Sequence, residues 1–270
     1  MKNFKDRIAL ITGGASGMGH ATALELARRG AHIVIADVNE TGALQAAEEI
    51  QSLGRQALTA RTDVSRPEEV KELSRKVFRD FGRVDILMNC AGVGLMAEIK
   101  DTTLPDWDWI MRINFWGSVH TLHYFLPRMV EQREGHIINI ASFAGVFGAP
   151  ATGAYAASKF ALVGLSEVLR TELERFGIGV TAVCPGLVRT PILESIRLRG
   201  FSADANKFPA LISVSPERAA KKIVRAVRRN RALLVFTFYA VAVYHARRLS
   251  PALGRKIARL MFVYFLRFKN

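Results

Sequence analysis

Six short apolar runs punctuate the first two thirds of the chain, at 7–12, 31–36, 57–62, 84–89, 136–141 and 178–184. Each is rich in Ile, Val or Leu and bounded by Gly, Asp or Asn, the pattern of a strand buried on both faces. Helix-period stretches lie between them. The stretch 19–29 sets Ala23, Leu26 and Ala27 on one face, 40–53 follows, and 67–81 carries Pro67 in its first turn after Ser65, a start signal. A helix over 216–229 leads to a seventh predicted strand at 232–236. Strand–helix–strand alternation of this kind requires parallel pairing through right-handed crossovers, so the expected fold class is α/β, a doubly wound parallel sheet of about seven strands.

Composition changes this picture little. The chain has 270 residues, half of them hydrophobic and 23% charged, which is globular rather than disordered. Its two cysteines, Cys90 and Cys184, fall in strand-like runs and read as buried, reduced thiols, which suits a cytoplasmic protein. The only apolar run at the N-terminus is 8–11, too short for a signal peptide.

Charge changes it more. The formal net charge is +14, yet segment 217–270 holds fourteen of the 38 Lys/Arg and one of the 24 acids. The body is therefore near neutral, and the excess belongs to a basic, apolar, helical C-terminal extension. The predicted organisation is a catalytic domain over 1–230, with a substrate lid at about 190–216, followed by the extension 231–270. In that extension 232–244 has no charge and is flanked by arginines, and 260–266 is an aromatic-rich run between Arg259 and Arg267. Neither reaches the roughly 17 residues of a spanning helix. Two readings stay open. The extension either attaches peripherally to an anionic membrane face, or contributes a last core strand and helices that pack on the body or a sister subunit. No base-reading module is present, so a nucleic-acid partner is not expected.

The first strand runs into Thr12-Gly13-Gly14-Ala15-Ser16-Gly17-Met18-Gly19, which opens a helix. Glycines there let a diphosphate approach backbone N–H groups at a helix N-terminus, whose dipole favours negative charge. This is the Rossmann-type context, and it makes Gly13, Ser16, Gly17, Met18 and Gly19 candidate cofactor contacts. Asp37, ending the second strand, can accept from ribose hydroxyls and would repel a 2′-phosphate. Ala15, Ser16 and Val38 offer no cation to reverse that, so NAD is favoured over NADP. Asp63 and Val64 end the third strand beside the expected adenine position. Asn89, Ala91 and Gly92 end the fourth and should line the cofactor cleft.

Tyr155 and Lys159 stand one helical turn apart and share a face. An ammonium beside a phenol lowers its pKa toward working pH. Ser142 lies just past the fifth strand, and Asn114 sits in a helical region where a polar side chain needs a reason. The six histidines show no ligand spacing, so no metal site is expected.

At this point the sequence resembles the short-chain dehydrogenase/reductase family of the classical type over roughly residues 5 to 225. The TGxxxGxG pattern is met by Thr12, Gly13, Gly17 and Gly19. The NAG motif appears as Asn89, Ala91 and Gly92, with Cys90 in place of the commoner second Asn. The Asn–Ser–Tyr–Lys tetrad matches Asn114, Ser142, Tyr155 and Lys159, and the Pro-Gly motif is Pro185-Gly186, followed by Thr190. The resemblance implies that Tyr155 exchanges a proton with the substrate oxygen, and that Lys159 lowers its pKa while holding the nicotinamide ribose. Ser142 would hydrogen-bond the reacting oxygen and Asn114 anchor a relay water. Thr190 and the backbone near Val188 would orient the carboxamide. It also implies a homodimer or homotetramer built on helices around 112–133 and 155–176.

Apolar residues surround the expected substrate position: Ile192, Leu193, Ile196, Leu198, Phe201, Phe208 and Leu211 in the lid, with Phe143, Val146, Phe147, Val93, Leu95 and Met96 upstream. The implied activity is NAD-dependent interconversion of a lipophilic, secondary alcohol and its carbonyl compound. A carrier-bound 3-ketoacyl reductase is an alternative that Asp37 disfavours. A non-catalytic NAD-binding scaffold is another, but it predicts a broken tetrad and none is broken.

Overall fold

The computed structural model describes Met1, residues 3–202 and residues 212–269. Seven parallel strands form one sheet: β1 (Ile8–Thr12), β2 (His32–Asp37), β3 (Ala57–Arg61), β4 (Ile86–Asn89), β6 (Gly135–Ile140), β7 (Ile178–Pro185) and β9 (Leu233–Phe236), in spatial order β3-β2-β1-β4-β6-β7-β9. All seven expected strands are present, each shifted by one or two residues at most. β1, β4 and β6 are buried throughout, because helices cover both faces.

Alternation within each strand sorts its side chains to opposite layers. Ala9 and Ile11 of β1 face the side of α1 (Gly17–Ala27), α2 (Glu40–Ser52) and α7 (Pro216–Arg228), packing with Ile50 and Ile223. Ile8 and Leu10 face α3 (Pro67–Phe81), α5 (Gly117–Gln132) and α6 (Gly153–Leu173), packing with Val77, Phe125 and Leu169. Strand order reverses between β1 and β4, and in such sheets ligands bind at the carboxyl ends on either side of that point.

Local chemistry sets the helix ends. α3 starts at Pro67, whose missing N–H costs nothing there, and stops at Gly82 in the left-handed region at φ 72°. Its N-cap is Arg66, one residue beyond the predicted Ser65, whose hydroxyl donates to Asp63 instead. α4 (Leu104–Met111) opens with a Thr103–Asp106 capping box. Between α4 and α5 the chain makes one π-helical turn, Arg112–Trp116.

The inner side of the C-terminal extension packs on the body. After β9, α8 (Phe238–Leu249) and α9 (Pro251–Leu266) form a hairpin against the body, with Ser250 accepting from the Leu253 N–H to cap α9. Ala240 packs with Phe143 and Phe147, and Phe265 with Met96, Ala151 and Phe201. Arg247 donates to the Val146 carbonyl at 2.6 Å and lies over the Phe160 ring. Among the described residues, no helix is long and apolar enough to cross a membrane.

The predicted lid contains a short strand. β8 (Arg197–Arg199) pairs with β5 (Leu95–Ala97) in a small parallel sheet that the sequence pattern did not announce. Arg199 clamps the buried Asp106 carboxylate with two bonds, at 3.1 and 3.2 Å, and Arg197 stacks on Trp109. The extension's end reaches the same segment: Ser202 N–H donates to the Phe268 carbonyl, and Lys269 pairs with Glu98. Phe208 and Leu211 lie outside the described residues.

Candidate active site

Two clefts open at the carboxyl ends of the strands and meet. The first, of about 400 Å³, is lined by Gly13, Ser16, Gly17, Met18, Asp37, Asp63, Val64, Ala91, Gly92 and Thr190, among others. The second, of about 230 Å³, is lined by Ser142, Tyr155, Lys159, Pro185, Gly186 and Val188 together with apolar side chains. Met18, Cys90, Gly92, Thr190 and Ile192 belong to both walls.

The glycine loop is built by close approach. Gly13 has φ +67°, and a Cβ there would come within 2.8 Å of the Ala91 backbone. A Cβ on Gly19 would overlap the carbonyl oxygen of Gly13, so helix α1 can approach the loop only without a side chain. Gly19 thus shapes the loop rather than lining the cleft. Thr12 ties the two halves together, its Oγ1 accepting from the N–H groups of Cys90 and Ala91.

At the far end of the first cleft the Asp37 carboxylate accepts from the Ala15 N–H and the Asn39 N–H, both at 3.0 Å. Those bonds fix it at the cleft wall. A cleft between a glycine-lined helix N-terminus and a carboxylate fits a dinucleotide. Asp63 lines the same cleft, with Oδ1 held by Ser65.

Tyr155 and Lys159 face the second cleft from one side of α6. Lys159 is buried, donates from Nζ to the Ile140 carbonyl at 3.0 Å, and lies 5.8 Å from the centroid of the Tyr155 ring. Burial pulls its pKa down to about 8. The Tyr155 phenol moves up, not down: burial raises it, the hydrogen bond with Ser142 opposes this, and Cys184 adds to the rise. The expected lowering by the ammonium does not appear, and loss of solvent around a phenol in an apolar pocket dominates. Ser142 Oγ accepts from the Ala144 N–H at 3.1 Å, which leaves its own hydrogen for the Tyr155 oxygen or a substrate oxygen. Burial also holds both thiols near 12, so Cys90 and Cys184 stay protonated.

Two expected residues have structural duties instead of an open side chain. Asn114 sits in the π-helical turn, where Oδ1 accepts from the Val93 N–H at 2.8 Å and Nδ2 donates to the Val93 carbonyl and to Ser158. It clamps the loop after β4. Asn89 does not line the cleft. Its amide donates to Asn139 and its oxygen accepts from Thr121, forming a buried ladder that continues to Ser166.

Of the expected pocket residues, Leu95, Met96, Phe143, Ile192, Leu193 and Ile196 line the second cleft. Val93 lines the first cleft, Leu198 and Phe201 pack with Phe265, and Val146 and Phe147 pack beneath the hairpin. Among the wall residues that were not anticipated are Tyr239 on α8 and Phe265 on α9. The Leu187 N–H donates to Tyr239 Oη at 2.5 Å, which holds the ring in place. Their only sequence signal is an aromatic residue within an apolar run, which fits a membrane face as well as a pocket wall.

The sequence profile of the family described as short chain dehydrogenase matches residues 7–199. The chain is 34% identical over 271 residues to the probable oxidoreductase EphD of Mycobacterium tuberculosis, covering 96% of this chain and 46% of that protein. It thus spans about half of that relative's length. It is 34% identical over 249 residues to a C alpha-dehydrogenase of Sphingobium sp., covering 87% of this chain and 82% of that one. The crystal structure of a short chain dehydrogenase/reductase from Burkholderia phymatum in complex with NAD superposes with a TM-score of 0.83 at 29% identity, covering 94% of this chain and 96% of that one.

Proposed function

The chain belongs to the short-chain dehydrogenase/reductase family of oxidoreductases, and from that premise we propose that it is an NAD-dependent enzyme interconverting a lipophilic secondary alcohol and its carbonyl compound, with Tyr155 as acid–base group. The observation that carries this reading is the convergence of Ser142, Tyr155 and Lys159 on one apolar pocket that opens into the glycine-loop cleft.

Gly13, Ser16, Gly17 and Met18 would hold the diphosphate, Asp37 the adenosine ribose, Asp63 and Val64 the adenine. Ala91, Gly92, Pro185, Gly186, Val188 and Thr190 would surround the nicotinamide half. When bound, that ring supplies the hydride acceptor or donor. The Asp37 carboxylate favours NAD, because a 2′-phosphate beside it would meet like charge.

The remaining chemistry is proton movement at one oxygen. Tyr155 Oη gives a proton to a carbonyl oxygen in reduction and takes one from an alcohol in oxidation. Burial keeps the phenol protonated at neutral pH, ready to donate. In the other direction the negative charge must be supported, and the Lys159 ammonium and the Ser142 hydroxyl are the groups placed to do so. Ser142, with its hydrogen uncommitted to backbone, donates to the reacting oxygen and fixes its position. Proton transfer of this kind contributes about 10²- to 10⁴-fold in rate. The lipophilic preference follows from the pocket walls: Leu95, Met96, Phe143, Ile196 and Phe265 offer no polar atom to a substrate tail.

Tyr155→Phe removes one oxygen from the site. Its NADH-linked turnover should fall by about 10²-fold or more, while quenching of intrinsic fluorescence by NADH stays as in the unsubstituted chain. Full turnover in that variant would remove Tyr155 from its role. A screen of secondary alcohols graded in length and ring size that favoured the short polar ones would remove the lipophilic substrate.

A further inference from the structure

One side of the α8–α9 hairpin is packed on the body and the other is bare. Ala240, Gly254 and Phe265 are buried on the inner side. On the outer side Phe238 is 91% exposed, Leu249 87%, Leu260 64% and Val263 59%. Eight of the seventeen exposed large hydrophobics among the described residues fall in the hairpin, so the apolar surface is concentrated there. Along α9 the apolar side chains alternate with exposed Arg255, Lys256, Arg259 and Arg267. Positions 253, 256, 260, 263 and 267 recur at three or four residues and share a face. No acid occurs anywhere after Glu217.

We propose that this outer face docks peripherally on an anionic lipid bilayer. The charge pattern selects the occupant. A second copy placed on this face by a two-fold axis would bring arginines and lysines onto one another with no carboxylate between them. A nucleic acid would satisfy the cations but leave leucine and valine against water or phosphate. A bilayer surface satisfies both at once: the aliphatic side chains enter the boundary between headgroups and acyl chains, and the cations meet lipid phosphates. Contact is in the membrane plane, since no helix among the described residues is long and apolar enough to span.

The docked orientation has a consequence for the pocket. Tyr239 and Phe265 line it from the inner sides of the same two helices. The pocket wall is therefore about one helix diameter, roughly 10 Å, from the lipid. Delivery of a lipophilic substrate across that distance rests on the proposed function, but docking does not, and its test involves no turnover.

The test is co-sedimentation of the full chain with vesicles of phosphatidylcholine alone or with about one third phosphatidylglycerol, a composition chosen for its negative surface potential. Each cation near such a surface contributes about a fivefold factor in partitioning. The chain should pellet with the anionic vesicles and stay in the supernatant with the neutral ones, and about 1 M salt should weaken pelleting at least tenfold. The double variant Leu260→Glu/Val263→Glu should lose at least tenfold in partitioning, and Arg259→Glu/Arg267→Glu should do the same through charge. All four side chains are exposed, so the thermal midpoint and NADH binding should match the unsubstituted chain, and whichever variant passes that check carries the test. Equal supernatant recovery with both vesicle types would overturn the proposal, as would a well-folded variant that pellets normally. A lipid-free dimer that Leu260→Glu/Val263→Glu dissociates would overturn it in favour of a second copy, and retention by duplex DNA with no vesicle binding would do so in favour of nucleic acid.

Discussion

Lys159→Met isolates the cost of burying a cation in the active site. The ammonium has a pKa of about 8 in the folded chain against an ordinary 10.5, because burial disfavours its charged form. Between those two values the unfolded chain holds a proton that the folded chain lacks, so stability rises with pH across that window. Below about 8 both states are protonated and the penalty is complete, about 3 kcal/mol from the size of the shift. Methionine has similar length and no charge, so it removes that penalty. It also forfeits the Nζ bond to the Ile140 carbonyl, a charge-assisted contact of about 1.5–3 kcal/mol. The two nearly offset, and the variant should lie within about 2 kcal/mol of the unsubstituted chain at pH 7. The sharper signature is the pH dependence. From pH 8 to 10.5 the unsubstituted chain should gain about 3 kcal/mol on the variant, or about 6–12 °C in midpoint for a chain of this size. Other titrations are common to both chains and cancel in the difference. Thermal melts followed by far-UV circular dichroism at about pH 7, 8, 9 and 10.5 measure it. Parallel curves would refute the argument, since they would mean that the lysine is not held below its ordinary pKa.

His136 makes a test of the same sign at acid pH. Thr181 spends its hydroxyl hydrogen on the Arg231 carbonyl at 2.6 Å and so accepts from His136 Nε2, leaving Nδ1 without hydrogen or partner in a fully buried site. Burial drops its pKa to about 3, with the N-terminus and Arg170 adding to the shift. Stability should fall as pH drops below the ordinary value of 6.5, by about 2 kcal/mol between pH 7 and pH 5, and His136→Leu should flatten that slope; an imidazole titrating near 6.5 by NMR would rule this out. Gly19→Ala should abolish NADH binding by displacing the Gly13 carbonyl while α1 stays folded, measured by fluorescence titration beside circular dichroism; retained affinity would show that the loop yields.

Much of the fold was legible because parallel strands covered on both faces leave apolar runs with sharp edges. Even β9 is foreshadowed, by four apolar residues after an amphipathic helix. The dinucleotide cleft was legible for a related reason, since close backbone approach leaves glycines that little else explains. What the sequence could not decide was the partner of an amphipathic face. The pattern in 232–266 says that one side is apolar, but not whether lipid or Phe143 and Met96 will cover it, and the structure shows that the inner side goes to protein. Motif position also failed to give side-chain direction. Asn89 falls at the right place in its strand, yet its amide is drawn into the ladder with Asn139 and Thr121 by the need to satisfy buried polar groups. The upward shift at Tyr155 lies outside sequence reading too, because it depends on how completely water is removed.

The π-helical turn at Arg112–Trp116 amounts to one residue more than a regular helix would contain over the same span. Each residue advances a helix by about 100°, so the surplus sets the azimuth of everything on one side of it relative to the other. α4 keeps its capped seat beside the lid and α5 keeps its core face, while the amide of Asn114 is swung to where it grips both backbone groups of Val93. Excising the extra residue would straighten the rod and put that grip out of phase. The strand-end loop that forms the floor common to both clefts would then lose its tether, with no change to any residue that touches a ligand.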